Sequence, residues 1–197
     1  GGPSAFRPRT KGPRAEVLGE GPQWRSAPAA PAEGDGPSDD GAREPPSGRA
    51  VSRVALLDVN VLVALFDPDH PHHEAAHLWF GQYGRTAWAT CPLTENGLVR
   101  VLSNPAYSPS RLSPGAVVER LRAFCRSGGH EFWPDQVSLL DSRLFRSPGP
   151  PGYQSVTDVC LLGLATARKG RLATFDRRIP VRSVIGADDG HLELIPA

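Results

Sequence analysis

From Arg53 onward, short apolar runs alternate with longer stretches of helical period. The strand-like runs are Val54–Leu57, Ala87–Thr90, Glu131–Trp133, Leu172–Phe175 and His191–Ile195. Between them fall helical patterns at Asn60–Phe66, Pro71–Gln82, Leu93–Leu102, Pro114–Arg126, Gln136–Phe145 and Val156–Lys169. Strands separated by helices pair in parallel and bury both faces of the sheet, so the pattern predicts an α/β fold. The architecture expected is a three-layer α/β/α sandwich around a mostly parallel central sheet. Punctuation agrees: Pro71, Pro92 and Pro114 stand near helix starts, where a missing N–H costs little. Gly128-Gly129 and Gly170 fall just past two helix ends, as left-handed caps would.

Residues 1–50 have a different character. Gly, Pro, Ala and Arg crowd them, and before Ala50 the sizeable apolar side chains are Phe6, Val17, Leu18 and Trp24. That composition buries too little surface to offset ordering entropy, so a disordered leader is expected, followed by one domain over 51–197. The chain contains no methionine, including at position 1. Either residues precede it or the leader is not wholly native, which would make Val51 a candidate start.

Other classes are disfavoured. The longest apolar run, Val54 to Phe66, is interrupted by Asp58 and Asn60 and is too short for a bilayer span. Cys91, Cys125 and Cys160 form no C-x-x-C pair, so neither a disulfide framework nor a cysteine zinc site is indicated. A reducing, cytoplasmic setting is expected.

Four carboxylates carry the chemistry. Asp58 ends "VALLD" and Asp176 ends "LATFD", and the carboxyl ends of parallel strands are where such folds bind ligands. Glu95 shares a helical face with Leu98, Val99 and Leu102; Asp158 shares one with Leu161, Leu162 and Ala165. Each acid alone reads as a cap or a first-turn residue favoured by the helix dipole. Together they predict one acidic pocket, in which like charges raise one another's pKa. A hard divalent cation, Mg²⁺ or Mn²⁺, resolves that conflict, and such sites suit phosphodiester hydrolysis.

A rival motif lies in "HPHHEAAH". His73-Glu74-x-x-His77 matches the zinc-peptidase signature, two histidines on one helical face with a glutamate able to act on zinc-bound water. Glu95 follows eighteen positions after His77, near where some such enzymes place a third ligand.

The segments "LLDVNVLVALF", "LTENGLVRVL", "VTDVCLLGLA" and "LATFDRRI", in this order, resemble a PIN-domain ribonuclease of the VapC toxin type, from type II toxin–antitoxin pairs. The resemblance covers nearly all of 51–197. It implies that Asp58, Glu95, Asp158 and Asp176 are the metal-binding acids, that Asn60 orders Asp58, and that Thr174 supplies a small hydroxyl. Val59 departs from the Ser or Thr common in such domains, and Arg177-Arg178-Ile179 stands where a further acid often follows. It also implies a Mg²⁺-dependent endoribonuclease, a cognate antitoxin and a homodimer. Under this reading Ala75, Leu78 and Trp79 pack inward and the histidines stay wet. A non-catalytic PIN-like module binding RNA or protein is the other alternative.

Charge is compatible with RNA. Residues 51–197 hold fifteen Arg and Lys against fourteen Asp and Glu, ten once the four site acids are set aside. Arg177, Arg178 and Arg182 follow Asp176 and suit phosphate contacts. Single-stranded or loop RNA fits a narrow cleft better than duplex.

Overall fold

The computed structural model describes residues 53–107, 112–147 and 149–196. The leader expected over 1–50 lies outside them, as does Val51. Five strands, β1 (Ala55–Leu57), β2 (Trp88–Thr90), β3 (His130–Phe132), β4 (Arg171–Thr174) and β5 (Leu192–Leu194), form one sheet in the order β3-β2-β1-β4-β5. Every pairing is parallel, with Leu56 opposite Ala89 on one side and Leu172 on the other. The helices are α1 (Val59–Phe66), α2 (His73–Trp79), α3 (Pro92–Leu102), α4 (Pro114–Cys125) and α5 (Val156–Ala167).

Strand side chains alternate between faces, and the two cores follow that alternation. Ala55, Leu57, Trp88 and Ala173 pack with apolar side chains of α1 through α4. Leu56, Ala89 and Leu172 pack with α5, Trp133, Phe145 and Val184. The expected three layers are therefore present. Fully buried residues such as Leu62, Leu98 and Leu162 each contribute roughly 1.5–3 kcal/mol by leaving water. The chain builds outward from β1 to β3, then crosses back to β4. Strand order thus reverses between β1 and β4, and their carboxyl ends flank the crevice where open α/β sheets bind ligands.

Three expectations need correction. Residues 136–145 form turns rather than a helix. Ser138 and Asp141 accept hydrogen bonds from the N–H groups of Leu140 and Arg143, local bonds that compete with a helix. Leu140 is 94% exposed, and Phe145 instead packs its ring on Gly163, where a Cβ would meet Phe145 at 2.4 Å. At the end of α5 the left-handed residue is Lys169 (φ 56°), not Gly170. Gly170 is needed for closeness, since a Cβ there would meet the Trp133 ring at 2.5 Å and Val54 O at 2.6 Å. Gly128 and Gly129 do take positive φ after α4. The third concerns α2, which is shorter than expected and runs into a wide turn closed by Arg85 N–H on Phe80 O. It buries Ala76 and Trp79 but leaves Leu78 exposed.

Candidate active site

Asp58 leaves β1 and caps α1, so part of its role is local. Its Oδ1 accepts from Val59 N–H at 2.6 Å. Its Oδ2 accepts from the Thr174 hydroxyl at 2.7 Å, across the β1–β4 junction. The carboxylate is 4% exposed, and among the described residues no cationic side chain bonds it. Burial first, then Asp158 and Asp176, push its pKa up to about 6, against the lowering effect of the two hydrogen bonds.

Thr174 is the hub. Besides donating to Asp58, its oxygen accepts from Asn60 Nδ2 at 3.3 Å and from Asp176 N–H at 3.1 Å. Asn60 is thereby held beside Asp58, yet its Oδ1 is buried with no partner. An orphaned buried carbonyl oxygen next to an unpaired buried carboxylate is costly unless something electropositive binds there.

Asp158, in the first turn of α5, is half-buried and makes no hydrogen bond or ion pair among the described residues. Burial and Asp176 raise its pKa. Asp176 is held differently. Arg178 grips it with Nε on Oδ1 (3.1 Å) and Nη2 on Oδ2 (3.2 Å), and the Arg178 N–H adds a bond at 2.8 Å. Those contacts hold its pKa below the usual carboxylate range. A cleft of about 490 Å³ brings Asp58, Asn60, Asp158 and Asp176 together with His70, Asn96, Gly97, Arg100 and Tyr107.

Glu95 does not line that cleft. Its Oε1 accepts from the Thr90 hydroxyl at 2.7 Å, and Thr90 Oγ1 meets His130 Nε2 at 2.8 Å. Thr90 has one proton, so giving it to Glu95 makes His130 Nε2–H the donor to Thr90. Burial lowers the His130 pKa, which is consistent with a neutral ring in that role. Asn96, the next residue along α3, faces the cleft instead, and Arg100 one turn later joins it. Gly97 permits this placement: a Cβ there would meet Val59 Cγ2 at 2.5 Å, so α3 lies hard against α1. That packing also accounts for an apolar residue at position 59.

Arg177 and Arg178 border the site on an adjoining groove, while Arg182 lies on the turn Val181–Ser183 away from both. The sequence reading missed Asn96, Arg100 and His70. The spacing of Asn96 and Arg100, one helical turn apart, was the available signal.

The histidines of "HPHHEAAH" have a structural task, and they are not simply wet. His73 Nδ1 bonds Ala64 O at 2.7 Å and His77 Nε2 bonds Leu65 O at 3.0 Å. These are last-turn carbonyls of α1, which lack intrahelical partners. Carbonyls only accept, so these two nitrogens are N–H donors, and a metal could meet only the other nitrogen of each ring. Glu74 is exposed. Among the described residues no three His, Cys, Asp or Glu side chains converge tightly enough to hold an ion as they stand. In the acid cleft, Asp176 is held by Arg178. The cleft's donor set is nonetheless all oxygen, with the Asn60 carbonyl unpartnered, and fits a hard divalent cation by chemistry.

The PIN domain family model matches residues 55–183. The chain belongs to the PIN-domain family. Ribonuclease VapC44 of Mycobacterium tuberculosis is 44% identical over 138 residues, covering 70% of this chain and 96% of that protein. Ribonuclease VapC39 of the same species is 43% identical over 123 residues, 62% of this chain and 88% of that protein. Ribonuclease VapC38 is 47% identical over 123 residues, 62% and 85%. In this PIN domain the acids at the ends of β1 and β4 and at the start of α5 meet at the reversal of strand order. The zinc-peptidase alternative lacks a third ligand: among the described residues no further His, Cys, Asp or Glu converges with His73 and His77.

Proposed function

We propose that this PIN domain is a divalent-metal-dependent endoribonuclease, cutting single-stranded or loop RNA to leave a 5′-phosphate and a 3′-hydroxyl. The observation that carries it is Asp58: a buried carboxylate with no cationic side chain on it among the described residues, beside the orphaned Asn60 carbonyl, facing Asp158 and Asp176. Asp58, Asp158 and Asp176 would hold Mg²⁺ or Mn²⁺. When bound, that ion supplies an acidified water and stabilises charge on the leaving oxygen. Thr174 orients the Asp58 carboxylate, and its bond to Asn60 keeps the amide oxygen toward the same space. Arg178 must release Asp176 for that acid to join, and is then available to a phosphate. Arg100 faces the cleft from the other wall and suits a second phosphate. We place Asn96, not Glu95, at the fourth wall, with Glu95 fixing the start of α3 through Thr90.

The relatives named as VapC ribonucleases support the ribonuclease reading; a toxin restrained by a cognate antitoxin, acting in the cytoplasm as a homodimer, is the rest of the proposal. Among the described residues no helix is long and apolar enough to cross a membrane. The intact set of Asp58, Asp158 and Asp176 around one cleft favours catalysis over a binding-only module. The test is cleavage of RNA by the full chain with Mg²⁺ or Mn²⁺ and with EDTA, alongside Asp58→Asn and Asp158→Asn. Metal-dependent cleavage lost by orders of magnitude in both variants supports the proposal. Cleavage that persists in EDTA, or in Asp158→Asn, overturns it.

A further inference from the structure

A second groove of about 490 Å³ adjoins the acid cleft and shares Asn60, His70 and Asp176 with it. His72, Phe175, Arg177 and Arg178 complete its lining. The His72 ring stacks on Phe175 with centroids 4.7 Å apart and planes 29° apart. Phe175 is itself anchored on the core beneath β4, so the stack is a supported platform and not two loose side chains. His72 N–H donates to His70 Nδ1 at 3.1 Å, which leaves Nε2–H as the donor of a neutral His70 ring. Arg178 is occupied by Asp176, but Arg177 is exposed and makes no ion pair among the described residues.

The geometry points to a nucleotide subsite: one base of single-stranded RNA stacks against the His72–Phe175 pair, with its phosphate on Arg177. This rests on the ribonuclease proposal, and extends it from the metal-binding acids to the substrate. Aromatic rings beside arginine, continuous with a phosphodiester-cutting site, are what single strands use without sequence-specific contacts. A duplex would keep its bases stacked on each other and could not offer one to this platform. The ring pair also gives a role to His72, which neither caps α1 nor lines the acid cleft.

The test is fluorescence anisotropy of the full chain in EDTA, with labelled oligoadenylate 12-mers and an abasic phosphodiester of equal length. The wild type should bind oligoadenylate about tenfold more tightly than the abasic chain, in line with one base stacked on an aromatic platform. His72→Ala should bring the two near parity, and His72→Phe should restore the preference. Arg177→Ala should weaken both probes alike and reduce the salt dependence by about 0.7 in log–log slope. An unchanged preference in His72→Ala overturns the subsite, as does a wild type indifferent to bases. Should His72→Ala fail to fold, His72→Phe and Arg177→Ala still decide it. Cleavage assays with Mg²⁺ on the same proteins keep the two proposals apart. Metal-dependent cleavage with no base preference sinks the subsite alone, whereas absence of cleavage in every form sinks the ribonuclease reading.

Discussion

The Thr174 hydroxyl donates to Asp58 Oδ2 at 2.7 Å while accepting from Asp176 N–H and Asn60 Nδ2, so one buried oxygen links the ends of β1 and β4. Thr174→Val keeps the shape and deletes that link. It should cost about 1–3 kcal/mol, read from denaturant melts, because several buried polar groups lose their partner. It should also move a pH profile. The Asp58 pKa rises from 3.8 to about 6 on folding, so without metal the protein is favoured at low pH and loses that contribution as pH climbs through this window. The Thr174 bond opposes the rise. Without it the window should extend upward, and Mn²⁺ affinity should fall off at a higher pH than in the wild type. An identical Mn²⁺ profile would show that the hydroxyl does not tune Asp58.

Asp158→Asn separates an acid cluster from independent caps. Burial and Asp176 raise the Asp158 pKa, so its charge opposes folding when no metal is bound. In chelator near pH 7 the variant should melt a few degrees higher. The carboxylate is only half-buried, so screening limits the gain to about 1 kcal/mol or less. With saturating Mg²⁺ the difference should shrink or reverse, since only the wild type gains the full binding energy. Equal destabilisation with and without Mg²⁺ would fit a dipole-favoured cap instead.

Glu95 and Asn96 are adjacent but should behave differently. Glu95→Leu removes the acceptor for Thr90 and leaves a buried hydroxyl and a partly buried imidazole to rearrange. It should lower stability by roughly 1–3 kcal/mol while Mn²⁺ affinity stays within about threefold of wild type. Asn96→Asp adds a carboxylate to the cleft wall and should tighten Mn²⁺ binding. Calorimetric titration of both variants checks the assignment, and a large affinity loss in Glu95→Leu would restore Glu95 as a metal ligand.

The zinc-peptidase motif should matter for folding and not for chemistry. His77→Ala strips a partner from Leu65 O at the end of α1 and should cost about 1–2 kcal/mol. Burial lowers the His77 pKa while the bond to Leu65 O raises it, so the bond persists on protonation and acid acts instead through the cost of burying a charged ring. Glu74→Gln, at an exposed position, should change neither melting temperature nor RNA cleavage. Loss of cleavage in Glu74→Gln would reopen the peptidase motif.

The layer order and both strand-end acids were legible in the linear chain, because strand and helix periods are local properties and the acids interrupt apolar runs. Helical period likewise put Asp158 and Glu95 on sheet-facing stripes, and both stripes are buried. What period could not specify was which strand each stripe would face. Glu95 lies over Thr90 and His130 on the β2–β3 side, whereas Asn96 looks into the cleft at β1. That difference follows from the seating of α3 against α1 at Gly97 and Val59, a contact between residues 38 positions apart. The same limit applied to "HPHHEAAH", where spacing matched a zinc site but the carbonyls beside the rings belonged to α1. At residues 136–145, helical spacing was outweighed by Ser138 and Asp141 bonding their own backbone, and by the pocket above Gly163 that takes Phe145. Periodicity assigns a side chain to a face; the partner on that face comes from how elements distant in sequence pack, because hydrogen bonds and van der Waals contacts act over only a few ångströms.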